Sequence, residues 1–439
     1  MQSLTLTIGL TAGILILFLR PSYGLGVYLA VLFLYPSYLT VRVFGCNLSA
    51  QRILIAVLLI RVLIDQNLLS KFKINLLDKL MIAMFVIGFI TMSITMNITD
   101  FAKTYSGQFM DSAVVYFLFR LIITSRHSLL SIMKILSPIL FVAAVIGVIQ
   151  SITGKSPYDG MYSYCQWNLE GEPVNQGERV GLFRAYGSDA VHIMFGLSFV
   201  AFLPLILLLR QEGGKWKVMT YIFFTAAIAG TLSSISAGPY LGILTVLFCL
   251  FIRRRPQYIK PLLIGLALIV FSVEILSNRG FFYVASRFAF HEGNAWYRAR
   301  LMDVAIMKLP EYWMFGYGMV EPGWGPLIDN REHTDVCNQY VLQAIYHGIS
   351  GAAIFVSMLW TAVAGLRRLA IYSPDRRLKD TAWLIGIAIV SLAVVFFSVG
   401  VFGKFTAVFY SLLGIAGCFY IPKIVKKPAR FPSIVLKLT

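Results

Sequence analysis

The sequence predicts an all-α polytopic membrane protein, about 12–13 transmembrane helices with two extended outer-face loops. Three observations predict it. Of the 439 residues, 58% are apolar and only 13% charged, against about 25% charged in an ordinary soluble domain. Apolar runs of spanning length recur along nearly the whole chain, and about 20 residues per crossing leave room for about a dozen crossings. The runs are continuous, which excludes the alternating strands of about 10 residues that build a membrane β-barrel.

Taken in order, thirteen spans are expected, over 4–20, 24–43, 50–67, 78–97, 108–125, 130–151, 186–209, 216–232, 236–252, 259–277, 349–368, 379–399 and 403–421. The first lacks a basic leader and a small-residue cleavage site, so it reads as a retained span. Arg42, Arg52 and Arg61 lie at or within the next two, so the side of the N-terminus follows from span parity alone. The clusters Arg253 to Arg255, Arg367 to Lys379 and Lys423 to Lys427 flank apolar runs, the positive-inside pattern of short cytoplasmic loops. They account for much of the net charge of +18, and no nucleic-acid partner is expected. The same bias puts the C-terminus in the cytoplasm and the segments 152–188 and 278–336 on the outer face. With no internal repeat or low-complexity linker, residues 1–439 form one membrane domain. Cysteines 46, 165, 249, 337 and 418 show no metal-ligand spacing, so neither a metal site nor a redox centre is expected.

The two loops hold 4 and 7 of the 20 acidic residues in under a quarter of the chain. They also hold Arg179, Arg184, Arg279, Arg287, Arg298, Arg300 and Arg331, which the positive-inside rule disfavours there, so each arginine asks for a role. For Arg179, Arg287 and Arg331, pairing with neighbouring acids is the preferred reading. The loop 278–336 contains an amphipathic helix, with Asn294 as N-cap, Pro310 as its end, and Tyr297, Leu301, Val304 and Ala305 on one apolar face. It is expected to lie along the membrane surface. Arg298, in its first turns, favours an anion through its own charge and the helix dipole. Arg184 sits at headgroup depth where the next span begins. Guanidinium forks suit phosphate oxygens, so Arg184 and Arg298, with Arg300 beside them, are candidates to bind one pyrophosphate.

The large loop ends in His333, Thr334, Asp335, Val336, Cys337, Asn338, Gln339 and Tyr340. Asp335 is expected to cap a short helix that runs to His347 and breaks at Gly348 before the next span. His333 and Asp335 are candidate general bases. For His333 alone the blander reading is a solvated loop residue; for Asp335 it is the cap itself.

Asn338 followed at this spacing by Gly348 and Gly351 resembles the signature of the O-antigen ligase and Wzy-type polysaccharide polymerase superfamily. Pro310, Phe315, Gly316, Tyr317 and Gly318 resemble the family's glycine turn, Arg298 its upstream arginine, and Arg184 with Gly187 its earlier outer-loop arginine. Ser234, Ser236, Gly238 and Pro239 resemble its serine-rich helix start, without the arginine common there. The likeness runs in consistent order from about 180 to 365; the first 150 residues match in hydropathy only. Where ligases place histidine directly before the asparagine, this chain has Cys337, which suits the polymerase branch. In a continuing helix His333 would share a face with Cys337 and supply the missing imidazole. Cys337 and Cys165, both in outer loops, are a candidate disulfide.

The resemblance implies a GT-C-like glycosyltransferase in the bacterial inner membrane. It would polymerise undecaprenyl-pyrophosphate-linked repeat units at the outer face, by inversion and without metal or cofactor. A ligase that passes finished glycan to another acceptor is the near alternative, and a transporter, whose polar groups would sit at the midplane, the far one. The expected partners are the glycan donor, a glycan acceptor, the bilayer and a chain-length regulator. Asn338 and Tyr340 are expected to position sugars, and Trp296, Trp313 and Trp324 to stack on them or to anchor at the membrane interface.

Overall fold

The computed structural model describes residues 1–43, 46–162, 164, 177–276, 292–329 and 332–421. The chain is mostly helical. Among the described residues five helices are long and apolar enough to cross a membrane: Leu76–Thr95, Arg126–Thr153, His192–Glu212, Gln339–Tyr372 and Arg376–Val395. Gln2–Phe18, Pro21–Leu34, Ala237–Arg253 and Phe405–Cys418 are shorter apolar helices.

In chain order, α1 (Gln2–Phe18) and α2 (Pro21–Leu34) pack with α3 (Ala50–Ile64). The span expected over 24–43 is cut short, because Pro36 keeps Tyr35 extended (φ −110°, ψ 134°) and out of the helical region. The chain turns instead into an antiparallel hairpin, β1 (Thr40–Val43) on β2 (Cys46–Ser49), with Thr40 opposite Ser49. After the short α4 (Gln66–Lys71) comes α5 (Leu76–Thr95), started by a capping box between Asn75 and Asp78. The next helix begins ten residues before the expected 108: α6 (Ile98–Phe109), a π turn (Met110–Val114) and α7 (Val115–Ile122) run on without interruption.

α8 (Arg126–Thr153) is followed by the one-turn α9 (Asp159–Tyr162), then α10 (His192–Ile206, continued by a 3₁₀ turn to Glu212), α11 (Gly214–Ser233), α12 (Ala237–Arg253) and α13 (Ile259–Leu276). Residues 186–191, expected as the start of a span, are irregular. At one end of these helices Lys134 pairs with Glu212 at 2.6 Å, Arg253 pairs with Asp380, and Arg126 donates to Gln211 at 2.6 Å. The basic clusters among the described residues, at 253–255 and 376–379, therefore gather at the end where α8 begins and α12 stops. Large apolar side chains such as Leu10, Ile94, Ile152, Leu244 and Trp360 lie exposed on the outer surface of the bundle, as lipid-facing residues do.

The segment 292–328 folds onto the other end. α14 (Glu292–Met307) starts two residues before Asn294, which is therefore not its cap, and Pro310 opens the next turn, α15 (Leu309–Tyr312). The expected apolar face is the one that is buried. Tyr297, Leu301, Val304 and Ala305 join Tyr312, Trp324, Ile328 of α16 (Gly325–Ile328) and Ile345 in a small separate core. Ile345 belongs to α17 (Gln339–Tyr372), which breaks as expected, with His347 and Gly348 non-helical. The glycine turn fills that break. Ile349 N–H donates to the Trp313 carbonyl at 2.8 Å and Tyr317 N–H to the Ile345 carbonyl at 2.6 Å. Gly316 and Gly348 both hold φ near 70°; a Cβ on Gly316 would stand 2.5 Å from the Ile345 oxygen, and one on Gly348 2.8 Å from the Trp313 oxygen. Two motifs far apart in sequence are thus one joint. α18 (Arg376–Val395) and α19 (Phe405–Cys418) complete the bundle.

Candidate anion-binding site

Arg184 is carried by a segment with no regular structure, yet every step of it is tied to a helix. Phe183 N–H donates to the Ser151 carbonyl and Ala185 N–H to that of Ser233, both at 2.9 Å. Tyr186 and Gly187 N–H both donate to Gln150 Oε1, at 3.1 and 3.0 Å. Ser188 donates to the Phe33 carbonyl at 2.6 Å. A buried amide side chain on α8 thus shapes the backbone that aims Arg184. The guanidinium donates through Nη2 to Ser236 Oγ at 3.0 Å, while its Nε–H is buried with no partner among the described residues. Burial, and after it the nearby Arg179 charge, pull the Arg184 pKa down to about 10, so it remains protonated at neutral pH.

Arg184 and Arg298 line one cavity of about 880 Å³. Its walls come from the end of α8 (Val148, Ser151, Ile152), the end of α11, the start of α10 (Ile193) and the first turn of α12 (Ala237, Gly238, Tyr240). That first turn bears N–H groups without helical partners and the positive end of the dipole. Ser236, the N-cap, makes no side-chain cap bond, its hydroxyl being spent on Ser234 and Arg184. The backbone before it is strained, with β-branched Ile235 at φ 41°. Arg298 sits nearly two turns into α14, too deep for the dipole of its own helix to act as expected; α12 supplies one instead. The Arg298 Nε–H is likewise buried without a partner among the described residues. The cavity is therefore lined by three arginines, Arg179, Arg184 and Arg298, one acid, Glu178, and a helix N-terminus, with mostly apolar walls beside them. Ile152 and Leu232, which line it, are also exposed on the outer surface of the bundle.

Behind Arg298 stands a short polar chain. The Cys337 thiol donates to Asp335 Oδ2 at 3.1 Å and also contacts the Arg298 guanidinium. Burial, then the Asp335 charge, push the Cys337 pKa up to about 12, so sulfur is a neutral thiol in this chain. Asp335 is held by its own N–H on Tyr297 Oη at 2.8 Å.

Other expected site residues fall elsewhere. Residues 332–337 are not helical, so His333 and Cys337 share no helix face; exposed His333 and Asp335 line an open depression with Glu332 and Thr334. Asp335 is not the cap of α17. Asn338 is, its Oδ1 accepting from Tyr340 and Val341 N–H while its Nδ2 donates to the Phe397 carbonyl. Tyr340 donates to the Ala393 carbonyl at 2.7 Å and packs on Phe397. Both hold the helix rather than face the cavity. Arg300, about 200° around α14 from Arg298, does not line it. Trp324 is buried against Tyr312, whereas Trp296 and Trp313 are exposed. Cys337 carries a free thiol; Cys165, Arg279, Arg287 and Arg331 lie outside the described residues.

Arg179, expected to pair with neighbouring acids, lines the cavity and makes no ion pair among the described residues. Two contributors escaped the sequence reading. Gln150 looked like the polar end of a span. Lys404 lay inside an apolar run, where a charge is itself a signal. No family model matches the chain, and no curated protein matches it.

Proposed function

We propose that this chain is a bacterial inner-membrane glycosyltransferase that polymerises undecaprenyl-pyrophosphate-linked repeat units into a surface polysaccharide. One observation carries the reading: Arg184 and Arg298, brought from separate outer segments, share a cavity with the first turn of α12. A pyrophosphate matches that donor set, since guanidinium forks and helix N-termini both favour phosphate oxygens. Apolar walls that reach Ile152 and Leu232 on the outer surface suit the polyprenyl chain. In this proposal the chain crosses the membrane thirteen times, with the cavity end outside and the basic end and C-terminus in the cytoplasm. A chain-length regulator would bind from the outer face.

In the mechanism, the acceptor sugar hydroxyl attacks the donor's anomeric carbon from the face opposite the pyrophosphate. The new C–O bond forms as the bond to the phosphate oxygen breaks, inverting the configuration. Negative charge grows on the leaving pyrophosphate, where the two arginines and the α12 dipole stabilise it. Asp335 takes the hydroxyl proton; its link to Arg298 through Cys337 favours it over His333. The charge stabilisation rests on arginine, so no metal is assigned a step.

Purified protein in lipid vesicles, given a lipid-linked repeat unit, is expected to produce a ladder of longer lipid-linked products. A single transfer to a foreign acceptor would indicate a ligase, and movement of the lipid without any new bond would indicate a transporter.

A further inference from the structure

Between the two arginine-bearing segments lies a buried charge pair that the proposed chemistry leaves unused. Lys404 Nζ stands 3.1 Å from Asp189 Oδ2, with side-chain exposures of 2% and 4%. Among the described residues this is the one ion pair with both side chains buried. No donor is aligned on Asp189 Oδ2 as a hydrogen bond, but Lys404 Nζ also donates to Ser188 Oγ at 2.6 Å. Removing two charges from water costs more than their attraction commonly returns, so such a pair is poor evidence of a stability device.

Its position suggests another purpose. Asp189 closes the short segment that Arg184 opens. Lys404 closes the segment 396–404, which seats the other half of the site. Gln339 N–H donates to the Phe396 carbonyl at 2.8 Å, Asn338 Nδ2 to the Phe397 carbonyl at 3.2 Å, and Val401 N–H to Gln339 Oε1 at 2.6 Å. Gly400 lies so close to the Val336 carbonyl that a Cβ would stand 2.7 Å from its oxygen. The next residue, Cys337, meets Arg298. A path of hydrogen bonds, chain links and one close backbone approach thus joins Arg184 to Arg298 through Lys404, which does not itself line the cavity, although Val399 of the same segment does.

We propose that Lys404 is a positioning residue which, through Asp189 and Ser188 on one side and the segment 396–404 on the other, sets the spacing of Arg184 and Arg298. Its effect on function rests on the reading that both arginines hold one pyrophosphate. The pair fixes the geometry without touching the ligand.

Lys404→Met alone strands a buried carboxylate and is expected to fold poorly, so the test uses Lys404→Met with Asp189→Asn, two neutral replacements of similar shape. In the full-length protein in detergent, hydrogen exchange is expected to rise together at 185–189 and at 339–341, with the melting temperature near that of the parent. Affinity for undecaprenyl pyrophosphate should fall, by no more than Arg184→Ala alone costs, and no further when Arg184→Ala is added. Unchanged exchange at 339–341 would overturn the proposal, as would a loss of affinity that adds in full to that of Arg184→Ala. If exchange rises in both segments but the parent binds no undecaprenyl pyrophosphate, the positional link stands and the functional reading falls.

Discussion

Removing either cavity arginine should cripple glycan transfer by an amount that the geometry bounds. Arg184 spends one N–H on Ser236 and keeps a buried Nε–H without a protein partner; Arg298 likewise keeps its Nε–H. In the proposed reaction each is therefore placed to give a charge-assisted contact that strengthens as the pyrophosphate leaves. Loss of one such contact costs about 2–4 kcal/mol of transition-state stabilisation, or ~30- to 10³-fold in rate. Arg184→Ala and Arg298→Ala should each fall in that range in the vesicle ladder assay, with membrane insertion unchanged. Lysine at either position should restore only part of the rate, because the charge returns without the planar fork. The pair also has a signature. If both arginines grip one pyrophosphate, the double variant should lose less than the two single losses combined, since the second contact cannot form productively once the first is gone. With Arg184 titrating only near 10, its contribution should stay level through neutral pH and fall only as the solution approaches that value. Near-normal rates in either single variant, or losses that add in full, would refute the shared-site argument.

Asp335→Asn should lower the transfer rate by ~10²- to 10⁴-fold with little change in donor affinity, whereas His333→Ala should stay near the parent rate; the reverse outcome would move the base to His333. Because the Cys337 pKa is raised to about 12, the thiolate is scarce at pH 8, about 10⁻⁴ of the thiol, so maleimide labelling of the folded protein should be far slower than for a free cysteine. Rapid labelling at that pH would contradict the neutral-thiol chain. Gly348→Ala should lower stability by about 1–3 kcal/mol, because φ 70° with ψ −175° is a region open in practice to glycine alone; an unchanged melting temperature in detergent would show that the joint with residues 313–317 is not needed.

The helical class was legible because hydropathy and charge act locally, and so was the buried face of α14, since its spacing is a property of one helix. Gly348 announced the break in α17 for the same reason. The hairpin at 40–49 and the long helix from 98 to 122 escaped because apolar residues alone do not separate a span from a turn beside it. For the site, chemistry was legible and neighbourhood was not. Two outer-loop arginines stood out against the positive-inside rule, yet Arg300, with the same charge, points elsewhere on its helix. Asn338 and Tyr340 sat in the most distinctive motif and prove to be occupied in holding α17 to the segment 393–397. Contributions from Gln150 and Lys404 depend on partners far away in the chain, and no local pattern announces such a partnership.

The seating of the outer core on Ile345 and on the break at Gly348 dictates an order of events during synthesis. Residues 292–328 leave the ribosome before the stub of α17 that completes their core. Until translation has passed Gly348, Tyr297, Leu301 and Trp324 have one wall missing and the glycine turn has no backbone to dock on. The lobe therefore cannot close ahead of the next apolar helix, and its maturation is timed by the synthesis of α17. A chain truncated between 330 and 345 would expose an unfinished apolar surface, whereas a stop after α17 would leave the lobe whole and only the segment 396–404 missing from its base.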